Sequence, residues 1–184
     1  MSSDMDRSLF HNINQGPHDA VLDSLMVFIT DHRFILFFAI LIPFIIKDRK
    51  KALLVLALGI AGIIISSFSV SILKHLFARP RPCTALENIR LLVACPGSFS
   101  MPSGHAATSF AVASIMGHFI RSVSIPAFIL ALLVAISRVY VGVHYPYDVT
   151  VGAIWGGVIA GMILVLHNRI TIHNNFLHFC KDRD

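Results

Sequence analysis

Between Ala52 and Leu73 the chain carries no charged side chain. A helix crossing the roughly 30 Å hydrocarbon core of a bilayer needs about 20 mostly apolar residues, and this run supplies them. Ser122–Ser137 and Val149–Leu166 are also uncharged, and the first extends through Val143 if Arg138 faces protein or water. Ser103–Ile120 is interrupted only by His105 and His118, and Phe34–Ile46 is a shorter stretch whose flanking Arg33 and Lys47 can snorkel to the interfaces. Ahead of these, Asp19–Thr30 carries Val21, Leu22, Leu25, Met26, Phe28 and Ile29 on a helical stripe opposite Asp19 and Asp23, which suits an interfacial helix or a short sixth span. The expected fold is an all-α polytopic membrane bundle of five or six transmembrane helices. Residues 1–32 form a polar segment with an amphipathic or short first helix, 33–168 the transmembrane core with an outer loop at 74–102, and 169–184 a cytoplasmic tail.

Composition agrees. At 184 residues, 55% hydrophobic and 14% charged, with mean hydropathy +0.74, the chain has more apolar surface than a soluble domain of this size can hide. The formal charge of +5 sits in short clusters rather than along one face, so nucleic acid is not an expected partner. The first twenty residues lack the apolar core of a cleavable signal peptide, and no lipidation motif is apparent. Lys47-Asp-Arg-Lys-Lys51 is the strongest basic cluster outside any candidate site and is placed in the cytoplasm by the positive-inside rule. Counting spans onward puts the loop 74–101, the start of the helix at Ser103 and the segment 138–148 together on the outer face.

Those three places hold the polar residues that carry chemistry: Lys74, Arg79 and Arg81; Pro102-Ser-Gly-His105; and Arg138 with His144 and Asp148. One cation at a membrane edge is ordinarily an anchor for lipid headgroups. A set of them on the side disfavoured by the charge bias, accompanied by two histidines, is not. Pro102 suits the first turn of a helix whose free N–H groups at Ser103, Gly104 and His105 favour an oxyanion, with Lys74, Arg81 and Arg138 as additional donors. If a helix begins near Pro146, His144 and Asp148 meet across its first turn, and a carboxylate on one ring nitrogen leaves the other free as nucleophile or base. Capping or packing is the plain alternative for that pair.

Lys74-His-Leu-Phe-Ala-Arg-Pro-Arg81-Pro82, Pro102-Ser-Gly-His105 and Ser137-Arg138-Val-Tyr-Val-Gly-Val-His144-Tyr-Pro-Tyr-Asp148 resemble the three-part signature of the type 2 phosphatidic acid phosphatase superfamily. The resemblance covers about residues 52–166. It implies a hydrolase with neither metal nor other cofactor that works through a phosphohistidine: His144 the nucleophile, Asp148 its orienting partner, His105 the general acid, and Lys74, Arg81, Ser103, Gly104 and Arg138 the phosphate cradle. Arg79 is not a signature position, and its role is open. The stretch Leu22–Thr30 also looks like that of bacterial undecaprenyl pyrophosphate phosphatases of the bacitracin-resistance type. That implies a bacterial inner-membrane enzyme with an outward-facing site and a polyprenyl diphosphate substrate. Phosphatidylglycerophosphate, phosphatidic acid and the 1-phosphate of lipid A remain alternatives. Vanadium-dependent haloperoxidases share the anion-binding signature but are soluble, against the uncharged spans here; a carrier that holds lipid phosphates without cleaving them is a second rival.

Cys83 and Cys95 fall in the outer loop, where an oxidising compartment permits a disulfide, and two free thiols are the other reading. Leu86, Ile89, Leu91, Leu92 and Val93 either dip toward lipid or pack on neighbouring helices. Tyr140, Tyr145 and Tyr147 suit the membrane interface, and Trp155 a packed position. Gly152, Gly156, Gly157 and Gly161 recur at helical spacing, as in tightly packed membrane helices. No histidine spacing makes a metal site, and His173, His178 and Cys180 are read as tail residues.

Overall fold

A computed structural model describes residues 4–181, with side chains through residue 173. Those residues form α1 (Asp4–Asn14), α2 (Ala20–Asp31), α3 (Arg33–Lys47), α4 (Arg49–Phe77), α5 (Pro82–Ala85), α6 (Gly104–Phe119), α7 (Arg121–Tyr140) and α8 (Pro146–Lys181), with no strand among them. Local chemistry marks the breaks. Asp19 caps α2 by accepting from Leu22 N at 2.7 Å, and Asp48 ends α3 and caps α4 by accepting from Lys51 N at 3.1 Å. Gly142 stands at φ +89° after α7, and a Cβ there would meet the Arg90 carbonyl at 2.4 Å, so glycine is required on both counts.

By length and apolarity α4, α7 and α8 can each cross a membrane, and α2 with α3 makes a fourth candidate bent by 74°. The chain is a multi-pass membrane protein. Outward-facing Ile60, Ile64, Phe68, Ile125, Ile129, Ile154 and Met162 form the surface such a bundle presents to lipid. Unlike α4, α7 and α8, helix α6, at 16 residues and roughly 24 Å, has little outward-facing surface. It lies instead at the centre, packed by α4, α7 and α8, with Ala106, Ala107, Ala111, Ala113 and Ile115 all fully buried. Small residues on α8 permit this. A Cβ added at Gly152 or Gly156 would sit 2.5 Å from the Ser103 carbonyl or 2.1 Å from the Ala107 carbonyl, whereas Gly157 and Gly161 face open space.

The amino-terminal region contains two helices rather than one. α2 turns off α3 at His32 and packs on α7, where Leu22, Met26 and Val27 cover Tyr140, Val141 and Val143. α1 packs against α7 and α8. Four of the five apolar residues of the 86–93 stretch pack on neighbouring helices and loops: Leu86 and Ile89 with Phe10, Val139 and Tyr145, and Leu92 and Val93 with Tyr140, while Leu91 is exposed. Cys83 and Cys95 are joined by a disulfide with Cα atoms 6.1 Å apart. Helix α8 runs on past residue 168 to Lys181, while the side chains of His178 and Cys180 lie outside the described residues.

Candidate active site

The end of α4, the starts of α6 and α8, the end of α7 and the loops between them meet at one end of the bundle. Lys74 leaves the last turn of α4 and donates to the Phe99 carbonyl at 2.8 Å and Ser98 Oγ at 3.2 Å. Arg81 follows on extended chain. It donates through Nε to the Ser98 carbonyl at 2.6 Å, through Nη2 to Ser98 Oγ at 3.0 Å and through Nη1 to the Val143 carbonyl at 2.9 Å. All of these partners are neutral, so both cations keep their charge for a ligand.

His144 Nε2 lies 3.1 Å from Arg81 Nη1. A guanidinium only donates, so a hydrogen bond here requires an unprotonated Nε2 and puts the ring proton on Nδ1. Nδ1 faces Asp148 Oδ2 and Ser100 Oγ, each at 3.5 Å. Burial pushes the imidazole down to about 4 despite the carboxylate beside it, because a charged ring loses its water. At neutral pH His144 is therefore neutral, with its Nε2 lone pair turned toward the cations.

Asp148 is the more elaborately held of the pair. Fully buried at the start of α8, it accepts from Arg79 Nη1 at 2.6 Å, from Tyr145 N at 2.8 Å and from Ser100 Oγ, and its carbonyl accepts from Ser103 N at 2.9 Å. Arg79 in turn pairs through Nη2 with the buried Asp6 of α1 and lies 4.2 Å from the centre of the Tyr145 ring. Asp6 also accepts from Tyr147 N at 3.0 Å. Arg79 thus clamps two carboxylates.

Helix α6 begins at Gly104, two residues beyond Pro102. Pro102 precedes the cap, Ser103 is the cap, and the Ser103 N–H is taken by Asp148. The free donors are the N–H groups of the first helical turn, Gly104, His105 and Ala106, together with the Ser103 hydroxyl, which is buried with no partner. An added Cβ at Gly104 would make only ordinary contact with Val70 at 3.6 Å, so packing does not demand glycine there and close approach of a ligand is the remaining reason. His105 sits on the same turn, partly exposed, within electrostatic reach of His144, Lys74, Arg138 and Arg33. Arg138 is buried at the end of α7, donating through Nη1 to Thr30 Oγ1 at 2.8 Å, with its Nε unpartnered.

The PAP2 superfamily matches residues 50–172, which contain all of these positions except Asp6, Thr30 and Arg33. The chain belongs to the PAP2 superfamily. Among its relatives, undecaprenyl-diphosphatase BcrC of Bacillus subtilis is 32% identical over 79% of this chain and 75% of its own. The putative undecaprenyl-diphosphatase YbjG of Escherichia coli is 32% identical over 92% and 84%. The crystal structure of Aquifex aeolicus LpxE superposes with a TM-score of 0.71 at 30% identity, covering 89% of this chain and 96% of that one.

Against the PAP2 signature, Lys74, Arg81, Ser103, Gly104, His105, Arg138, His144 and Asp148 all fall in one neighbourhood. Sequence reasoning missed Asp6, Ser100, Thr30 and the place of Arg33. It left Arg79 open, since Arg79 is not a signature position. Tyr140 and Tyr145 are buried rather than interfacial: Tyr140 donates to Asp23 at 2.6 Å, and Tyr145 packs with Arg79 and Phe10. Trp155 is half-buried and donates to Ser69 at 2.9 Å. Among the described residues no group of three or more His, Cys, Asp or Glu side chains converges as metal ligands do.

Proposed function

We propose that this membrane lipid phosphatase of the PAP2 superfamily hydrolyses undecaprenyl diphosphate to undecaprenyl phosphate and orthophosphate. His144 is the nucleophile, and the substrate is taken on the outer face of a bacterial inner membrane. The observation that carries the chemistry is the His144 ring, whose Nε2 lone pair faces Arg81 at 3.1 Å and whose Nδ1 side faces the clamped Asp148. The Nε2 lone pair attacks the terminal phosphorus, the bond to the bridging oxygen breaks, and that oxygen takes a proton from His105 as it leaves on the lipid phosphate. Water then attacks the phosphohistidine, giving its proton to His105 and releasing orthophosphate. Lys74, Arg81, Arg138, the Ser103 hydroxyl and the first N–H groups of α6 hold the equatorial oxygens.

The substrate assignment rests on the two undecaprenyl-diphosphatase relatives. The outward orientation is supported by the basic cluster at 47–51 on the opposite side and by the Cys83–Cys95 disulfide in the loop beside the site, since such bonds persist in oxidising compartments. The test is phosphate release by purified, detergent-solubilised protein in EDTA from undecaprenyl diphosphate, phosphatidylglycerophosphate, phosphatidic acid and lipid A, alongside His144→Ala. The diphosphate is expected to be the fastest substrate. A higher kcat/KM for any of the other three overturns the substrate assignment, and unaltered release by the variant overturns the mechanism.

A further inference from the structure

Two arginines beside the site are anchored on one residue. Thr30, fully buried at the end of α2, accepts from Arg33 Nη1 through its carbonyl at 3.0 Å and from Arg138 Nη1 through its hydroxyl at 2.8 Å. Each guanidinium keeps a buried Nε with no partner. The carboxylate that acts on both is Asp31, which is exposed and in ion-pair contact with neither. Two neighbouring cations with unsatisfied donors and no carboxylate between them form an anion site.

Its place relative to the chemistry follows from Thr30, which ties Arg33 to Arg138 of the phosphate cradle. An anion held by Arg33 is therefore next to the phosphate in that cradle. Apolar surface continues from the same point. The Arg33 guanidinium lies 4.2 Å from the centre of the Phe34 ring, and Phe34 begins a cleft between α3, α4 and α6 that is lined further in by Phe37, Leu41, Val55, Ile63 and Met116. Met116 is eleven residues along α6 from His105, roughly 16 Å deeper in the bundle. A charged mouth opening on a deep apolar cleft matches a phosphate esterified to a long hydrocarbon chain.

We infer that Arg33, anchored on Thr30 beside Arg138, binds the phosphate that stays on the lipid when a lipid diphosphate is cleaved, and so sets the preference for diphosphates over monophosphates. The inference rests on the diphosphatase reading above. Arg33 precedes the family match at residue 50, so the signature alone does not provide it.

The test compares orthophosphate and pyrophosphate as competitive inhibitors, using whichever lipid substrate the enzyme turns over fastest, for the native protein and Arg33→Gln. Pyrophosphate fills both subsites and orthophosphate one. The native enzyme is expected to bind pyrophosphate at least about tenfold more tightly, and Arg33→Gln is expected to lose most of that ratio. In parallel, the ratio of kcat/KM for undecaprenyl diphosphate over phosphatidic acid should fall by a similar factor. An unchanged inhibitor ratio, or equal losses for both inhibitors, overturns the inference and leaves Arg33 as a lock on the α2–α3 bend. If Arg33→Gln does not fold, Arg33→Lys is read the same way, with a smaller loss because an ammonium has no fork. Native protein that favours monophosphate lipids removes the diphosphatase reading, while the inhibitor ratio still reports on Arg33.

Discussion

Arg79 and Arg81 are separated by one proline and live in opposite electrostatic surroundings. Arg79 bridges Asp6 and Asp148 and stacks over Tyr145, so its charge is consumed inside the protein. Arg81 donates to two carbonyls, a hydroxyl and a neutral imidazole, so its charge remains available. The same contrast divides the whole site. One half, built by α1, Arg79, Ser100 and Asp148, is internally neutralised and fixes the His144 ring; the other, built by Lys74, Arg81, Arg138 and the start of α6, is cationic, and its cations donate to neutral groups. Residue type does not assign the role, whereas the partner within reach does.

Substitution at the two arginines is the sharpest way to break that comparison. Arg79→Met strands two buried carboxylates and is expected to lower unfolding free energy by about 3–5 kcal/mol, measured by denaturant or thermal unfolding in detergent. Arg81→Gln is expected to cost about 100-fold in kcat/KM with a much smaller stability loss, because a phosphate clamp is removed and only neutral acceptors are vacated. Equal stability losses would erase the distinction between the halves. Next in size, the double variant Cys83→Ser, Cys95→Ser, spanning a separation of 12 residues, should lose about 2–3 kcal/mol. It should retain most activity, since neither cysteine touches His144.

Protonation provides the smallest and most specific effect. His144 has its folded-state pKa depressed by burial to about 4, against an ordinary imidazole near 6.5. The unfolded chain therefore binds the proton more readily. The stability tied to this group is complete above about pH 6.5, declines as pH falls, and is lost through about pH 4. Unfolding followed from pH 7 to pH 4 should show a slope that flattens in His144→Gln. The acid limb of kcat/KM assigned to His144 should also lie below pH 6.5, and a limb at or above that value would contradict the burial of the ring.

Much of this site was legible in the sequence because its signature positions lie at helix ends, where a proline, a cap and a fixed spacing leave marks in a single chain. The His144–Asp148 pairing follows from four residues across the first turn of α8, and the membrane class from uncharged runs. Asp6 was not legible. Its partner is 73 residues away, and in a polar amphipathic helix a carboxylate usually faces water. Arg33 reads as an interfacial anchor when α3 is a straight span, and only the 74° bend with α2 turns it toward Thr30 and Arg138. The central position of α6 was hidden for a related reason. Hydropathy scores how apolar a helix is, and an enclosed alanine-rich helix scores like one facing lipid.

The most direct test of the central claim is chemical quench of the enzyme with undecaprenyl diphosphate labelled at the terminal phosphorus, followed by peptide mapping under alkaline conditions. An acid-labile, alkali-stable label on His144 that forms and decays within turnover, and is absent from His144→Ala, is the predicted result. Label on another side chain, or full turnover by His144→Ala, would contradict the account.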